Sequence, residues 1–154
     1  MLIAEAIGIG LVVSLLFVEA VGFAAGGFVV PGYIALYLDS PLRLLGTLLA
    51  ATAAYLSVRV GSRFLLIYGR RALVFAVLTG FLFGTLTSRI PPLDFLSADT
   101  SLQAIGYIIP GLLAYWMNRQ GIVRTLSAMM VAAVIVRFAL IIFHGGSVLE
   151  TVAL

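Results

Sequence analysis

Long apolar runs separated by short polar connections make up most of this chain. Apolar runs of about 18 residues or more are typical of helices that span a membrane. Four stretches of this kind cover residues 3–20, 42–58, 72–87 and 122–143. Two further apolar stretches, residues 22–38 and 105–117, each contain a Pro-Gly step. The pattern predicts an all-α integral membrane protein with about four transmembrane helices and two Pro-Gly-broken segments that are re-entrant or short.

The two Pro-Gly segments resemble each other. Residues 29–36 read Val-Val-Pro-Gly-Tyr-Ile-Ala-Leu, and residues 108–115 read Ile-Ile-Pro-Gly-Leu-Leu-Ala-Tyr. Proline removes a backbone donor and glycine loosens the backbone dihedral angles, so a helix rarely continues undisturbed through the pair. Two breaks in corresponding places often mark the working centre of a membrane protein. We therefore expect these segments to lie at the centre of the fold.

The likeness predicts an internal two-fold repeat within a single membrane domain, residues 1–154. The pseudo-repeats cover about residues 1–60 and 70–145, and the arginine-rich segment 59–71 joins them. Each Pro-Gly segment is followed by a polar turn and then by a long apolar helix. An apolar sequence easily looks similar to itself, but the matched order of elements favours a genuine duplication.

The topology depends on whether each Pro-Gly segment crosses the membrane. If it returns to the side from which it entered, one repeat contains two crossings and the halves are parallel. If it crosses, one repeat contains three crossings and the halves are inverted. Each segment has about 15 apolar residues, fewer than the ~20 that a spanning helix needs. The length favours four crossings and leaves six open.

Composition excludes several kinds of site. The chain is 63% hydrophobic and 10% charged, which is too apolar for a soluble domain of 154 residues. It has no Cys and a single His, so it has no disulfide, thiolate nucleophile or Cys/His metal site. It also lacks a phosphate loop, paired carboxylates at a useful spacing and a Ser/His/Asp set. We therefore expect no catalytic residue, metal or cofactor in this chain.

The basic residues favour membrane orientation and anionic partners over nucleic acid. All nine are arginines, the net charge is +3, and they form no continuous basic face. The densest group, residues 59–71, indicates the cytoplasmic side and is either an interfacial amphipathic segment or the end of a helix pair. At helical spacing Arg59, Arg63 and Arg70 would share one face.

Arg137 needs a separate explanation because it lies inside an apolar run. An arginine at such a depth costs at least ~2.5 kcal/mol on insertion scales, so we expect it to face the protein interior and to be paired. Glu19 is a plausible partner, and the alternative is an arginine that snorkels from the end of its helix. Arg119 and Gln120 directly follow the second Pro-Gly segment and are candidates for contact with a ligand or subunit.

The sequence resembles the PgsC/CapC family, the membrane subunit of poly-γ-glutamate synthesis and capsule biosynthesis. The matching residues are Val29 to Leu36, Ser62 to Arg71, Ile109 to Ala114 and Arg119 to Gly121, with Glu19 before Gly22. The resemblance covers essentially the whole chain. Its Ser-Arg-Phe…Tyr-Gly-Arg-Arg block at residues 62–71 is specific.

The resemblance implies a non-catalytic, multi-pass subunit of the bacterial cytoplasmic membrane. Its partner would be an ATP-dependent amide ligase related to the Mur ligases, with ATP and Mg²⁺ bound to that partner. This chain would anchor the ligase and help pass the anionic polyglutamate through the bilayer. A further membrane-anchored accessory subunit and a homo-oligomer are also compatible with the resemblance. The connection 89–103 and the arginine-only basic set depart from the family pattern.

Two other functions remain open at this stage. A small secondary transporter or channel would use the broken segments as its binding site, and a scaffold would have only a structural role. Under the synthase hypothesis, the candidates for contact with polymer or partner are Glu19, Pro31, Gly32, Tyr33, Arg63, Tyr68, Arg70, Arg71, Pro110, Gly111, Arg119, Gln120 and Arg137.

Overall fold

The computed structural model describes residues 2–64, 69–89 and 105–143, which form six helices and no strand. The helices are α1 (Leu2–Val21), α2 (Val30–Leu36), α3 (Pro41–Phe64), α4 (Arg70–Ser88), α5 (Ile109–Gln120) and α6 (Ile122–Phe143). Four of them, α1, α3, α4 and α6, are long and apolar enough to cross a membrane. The predicted all-α class and the four long spans are confirmed.

Helix α3 extends six residues beyond the predicted end of the second span. Arg59 and Arg63 therefore lie in its last turns, and Arg70 begins α4. A common helical face for these three arginines is thus wrong, because they lie on two helices. The alternative, the end of a helix pair, describes the arrangement. The apolar run stops before the helix does because a helix that leaves the hydrocarbon can continue with polar side chains.

Each Pro-Gly pair lies at the start of a helix. Pro31 is the second residue of α2, and Pro110 is the second residue of α5. Proline is tolerated in the first turn, where its missing N–H would have no intrahelical partner. The expected mid-segment break is therefore corrected: a non-helical stretch, residues 22–29 or 105–108, comes first, and the proline starts the helix.

The chain divides into two compact units. The first unit (Met1–Leu36 and Val123–Leu154) contains α1, α2 and α6, and the second unit (Tyr37–Ile122) contains α3, α4 and α5. Helix α3 comes from the first predicted half but belongs to the unit of α5. Helix α6 comes from the second predicted half but belongs to the unit of α2. The units do not follow the predicted halves 1–60 and 70–145, and the duplication itself stays a prediction.

Glycines let a Pro-Gly helix touch a long helix in each unit. A Cβ atom built on Gly32 would lie 2.6 Å from the carbonyl oxygen of Ala6, and one on Gly10 would lie 2.7 Å from the Cα of Gly32. In the second unit a Cβ on Gly111 would lie 2.6 Å from the carbonyl oxygen of Ala76. Backbones at such a separation leave no room for a side chain.

In α1 the small residues Ala6 and Gly10 are four positions apart, and Ala76 and Gly80 repeat this spacing in α4. Gly80 meets the backbone of Gly111 just as Gly10 meets that of Gly32, at the same four-residue spacing from an alanine. Gly80 and Gly84 form a Gly-x-x-x-Gly motif, which permits close approach between helices, and its partner is the second Pro-Gly segment. The two units thus contain one packing arrangement twice.

Candidate functional site

The contacts of the second unit fix the direction of its helices. Gly84 lies against Tyr107 and Gly80 against Gly111, so α5 runs antiparallel to α4. The backbone N–H of Ile105 donates to Oγ1 of Thr47 at 2.8 Å, near the start of α3. Because residues 65–69 join α3 to α4, the end of α3, the start of α4 and the end of α5 lie at one end of this unit.

Five arginines gather at that end, which we call the basic end: Arg59, Arg63, Arg70, Arg71 and Arg119. All five side chains are exposed. The described residues of α3, α4 and α5 at this end include no Asp or Glu. Asp39 precedes the start of α3 at the opposite end. Five exposed arginines without a carboxylate close by in sequence favour the approach of an anion.

Arg119 is held in place by the preceding turn of α5. Its Nη1 donates to the hydroxyl of Tyr115 at 3.2 Å, and its guanidinium carbon lies 5.8 Å from the centre of that ring. It also lies 5.7 Å from the ring centre of Trp116. Stacking on aromatic faces fixes the plane of a guanidinium and leaves its other N–H groups free to meet a carboxylate bidentately.

Arg59 has a similar arrangement on α3. Its Nη1 donates to the hydroxyl of Tyr55 at 2.9 Å, again one helical turn earlier. Two of the five arginines are thus pre-oriented by tyrosines at the i−4 position. An arginine that is already oriented loses less side-chain entropy when an anion binds.

Arg137 lies inside the first unit. Its side chain is only 7% exposed, and Nη1 donates to the carbonyl oxygen of Ala35 at 3.0 Å. Ala35 is in the last turn of α2, where carbonyl oxygens have no partner within the helix. A cation at a helix C-terminus also interacts favourably with the helix dipole. The expectation of a paired, inward-facing arginine is confirmed, and snorkelling is wrong.

The expected pairing of Arg137 with Glu19 is also wrong. Glu19 is exposed near the end of α1. Ala6, which packs on Gly32 of α2, is thirteen residues earlier, or about 20 Å along the helix axis. Instead, the guanidinium donates to the backbone carbonyl of Ala35, which lies at the level of the start of α1.

The predicted site residues are divided between the two units. The first unit contains Glu19, Pro31, Gly32, Tyr33 and Arg137, and the second contains Arg63, Arg70, Arg71, Pro110, Gly111, Arg119 and Gln120. Tyr68 lies outside the described residues. Pro31, Gly32, Pro110 and Gly111 are buried in helix contacts, whereas the arginines of the basic end are exposed. The buried prolines and glycines are therefore suited to packing, and the exposed arginines to binding.

Sequence reasoning missed the residues that orient the arginines and the backbone. Tyr115 and Trp116 precede Arg119 by four and three residues, a helical spacing that could have indicated the stack. Thr47, by contrast, is 58 residues from Ile105, and no local pattern announces that bond. Among the described residues, no group of three His, Cys, Asp or Glu side chains could hold a metal ion.

Known sequences are similar to this chain over most of its length. The sequence model of the family described as "Capsule biosynthesis CapC" matches residues 9–126, which include both Pro-Gly helices and the basic end. This chain belongs to the CapC family. It is 34% identical over 119 residues to "PGA biosynthesis protein CapC" of Bacillus subtilis (strain 168), covering 76% of this chain and 78% of that protein.

A second relative gives the same picture. The chain is 36% identical over 123 residues to "Capsule biosynthesis protein CapC" of Bacillus anthracis, with 79% of this chain and 81% of the relative aligned. No solved structure matches the chain. The family is one of capsule biosynthesis, and four helices of the described residues are long and apolar enough to cross a membrane. Arg137 lies beyond the matched range of the family model.

Proposed function

We propose that this chain is the membrane subunit of a poly-γ-glutamate synthase complex in the bacterial cytoplasmic membrane. It anchors the ATP-dependent, Mur-type ligase that makes the polymer, and it receives the growing chain for passage through the bilayer. ATP and Mg²⁺ belong to the ligase. Support comes from the names of the two relatives, one of which refers to PGA biosynthesis.

The single observation that carries this proposal is the basic end. A γ-linked glutamate chain carries one carboxylate per residue, and five exposed arginines without an interleaved carboxylate suit such a polyanion. The guanidinium of Arg119, fixed by Tyr115 and Trp116, is the best-oriented group for a carboxylate. Arginine is preferred over lysine wherever bidentate recognition of carboxylates matters.

The experiment is complementation of a capsule-negative host that expresses the ligase but lacks its own membrane subunit. Arg119→Gln removes the oriented charge, and Arg89→Gln is the matched control, because Arg89 is an exposed arginine at the opposite end of the same unit. A hydrogen bond to a charged group contributes about 1.5–3 kcal/mol. We expect Arg119→Gln to lower polymer yield about tenfold at unchanged membrane protein level, and Arg89→Gln to leave the yield unchanged.

Three outcomes would contradict the proposal. Equal polymer from both variants and the parent would indicate a scaffold whose arginines have no role in synthesis. Failure of the chain to co-purify with the ligase would remove the synthase assignment. Solute or ion flux by the chain alone, reconstituted in liposomes without the ligase, would favour a carrier.

A further inference from the structure

We propose that both Pro-Gly segments cross the membrane, so that the chain makes six crossings and the basic end faces the cytoplasm. This inference does not depend on the identity of the polymer or the ligase. It rests on the contacts within each unit and on the distribution of arginines along the chain.

The first Pro-Gly segment runs the length of α1. It leaves α1 at Gly22, whose N–H donates to the carbonyl oxygen of Val18 at 2.8 Å. The Oγ of Ser14 then donates to the carbonyl oxygen of Phe28 at 3.1 Å, and Gly32 lies against Ala6. A re-entrant segment would return to the end of α1 from which it started. This one ends beside the beginning of α1.

The second Pro-Gly segment follows α4 in the same way. Tyr107 lies against Gly84 near the end of α4, and Gly111 lies against Ala76 about two turns earlier in α4. Helix α5 continues for nine residues beyond Gly111, about 13 Å of axial rise. It therefore reaches the level at which α4 begins.

The length of the segments is sufficient for a crossing because each is partly non-helical. An extended residue advances up to ~3.3 Å and a helical residue 1.5 Å. Residues 22–36 and 105–120 can thus advance up to about 37 Å and about 31 Å, compared with ~30 Å of hydrocarbon. A count of apolar residues underestimates the reach, since it assumes helical rise throughout.

The non-helical stretches have internal partners, as membrane depth requires. Backbone polar groups without a partner in hydrocarbon cost several kcal/mol each. Ser14 binds the carbonyl oxygen of Phe28, and Thr47 accepts from the N–H of Ile105 in a buried bond. Residues 24–27 are buried although they are not helical. Side chains of neighbouring helices thus take over hydrogen bonds that a continuous helix would make.

The arginines give independent support. With six crossings, one side of the membrane receives Arg59, Arg63, Arg70, Arg71, Arg119 and Arg124, and the other receives Arg43 and Arg89. With four crossings, Arg119 and Arg124 move to the side of Arg43 and Arg89, and the bias disappears. Cytoplasmic connections carry an excess of arginine in membrane proteins. Of these two counts, six crossings satisfy the rule, and their parity makes the two halves of the chain inverted.

Single cysteines can test the count, since the native chain has none. The variants are Ser62→Cys, Asp39→Cys and Asn118→Cys, all at exposed positions. Ser62 and Asp39 lie on opposite sides of the membrane under either count and serve as references. Asn118 lies with Ser62 if the second segment crosses and with Asp39 if it returns. A reporter fused before Met1 lies with Asp39 if the first segment crosses and with Ser62 if it returns, and the latter result would also overturn the six-crossing topology. The full chain is probed with a membrane-impermeant maleimide in spheroplasts and in inverted vesicles.

We expect the cysteines at positions 118 and 62 to react only in inverted vesicles, and the cysteine at position 39 only in spheroplasts. Reaction of position 118 together with position 39 would overturn the six-crossing topology. Reversal of all three patterns would overturn the cytoplasmic placement of the basic end. If Asn118→Cys is not inserted, a reporter fused after Leu154 decides, because six crossings place it on the side of Asp39 and four on the side of Ser62.

Discussion

The guanidinium of Arg137 binds the carbonyl oxygen of Ala35 from a helix 102 residues farther along the chain. Helix α2 has only seven residues, so it has no further turn whose N–H groups could donate to the carbonyl oxygen of Ala35. The guanidinium supplies a donor instead. The counterpart helix α5 has twelve residues, and Arg59 and Arg63 of α3 are exposed. The buried arginine thus belongs to the shorter of the two Pro-Gly helices.

Arg137→Met should destabilise the protein by about 1–3 kcal/mol, because it leaves a buried carbonyl without this donor. Arg137→Lys should recover part of the loss, since an ammonium is shorter but retains charge and donors. Unfolding in an SDS titration of detergent-solubilised protein measures both. Arg59→Gln is the control on an exposed helix arginine, and a loss as large as that of Arg137→Met would show that burial does not decide the effect.

Gly10→Ala and Gly8→Ala form a matched pair on one helix. A Cβ at Gly10 would collide with the backbone of Gly32, whereas a Cβ at Gly8 has nothing within 4 Å. We expect Gly10→Ala to cost about 1–3 kcal/mol and Gly8→Ala to be neutral or stabilising by up to ~1 kcal/mol through helix propensity. Equal midpoints of thermal unfolding for the two variants would contradict the glycine contact between α1 and α2.

Thr47→Val should cost about 1–3 kcal/mol, because the N–H of Ile105 loses its acceptor in a buried position. Thr52→Val is the matched control. Thr52 is exposed, and its Oγ1 donates only to the carbonyl oxygen of Leu48 in the same helix. Hydrogen exchange should locate the effect, with faster exchange at Ile105 in Thr47→Val. Unchanged exchange there would mean that the bond does not hold the second non-helical stretch.

The single tryptophan provides an optical reading of the basic end. Trp116 is the only one in the chain, and Arg119 lies over its ring. Binding of poly-γ-glutamate to Arg119 should change Trp116 emission saturably in nanodiscs of zwitterionic lipid, and 0.5 M salt should abolish the change by screening. Arg119→Gln should weaken the titration about tenfold. An equal response in that variant would place the polymer elsewhere, and a response only to anionic lipid would identify a headgroup site.

The spans were predictable because apolar periodicity and helix length are local properties. Residues 122–143 were predicted as the last span, and α6 covers the same range. The Pro-Gly segments were harder, because the local rule that proline disturbs a helix does not say whether it starts one or interrupts one. Pro31 and Pro110 proved to be in the first turn of their helices.

The site was predictable only in part. Arg119 and the arginines of residues 59–71 could be selected from charge and from resemblance. Their gathering at one end depends on the direction of α5 relative to α4, which long-range contacts such as Gly80 against Gly111 determine. The partner of Arg137 was missed for the same reason, because a backbone carbonyl leaves no trace in the sequence.

The membership of α6 in the first unit has a consequence for synthesis of the protein. Ala35 leaves the ribosome about a hundred residues before Arg137 does. At ~5–20 residues per second this is a delay of roughly 5–20 s. During that time α1 and α2 are in place without the arginine that holds the end of α2. The unit that contains the first two helices is thus completed only when the last helix has been inserted.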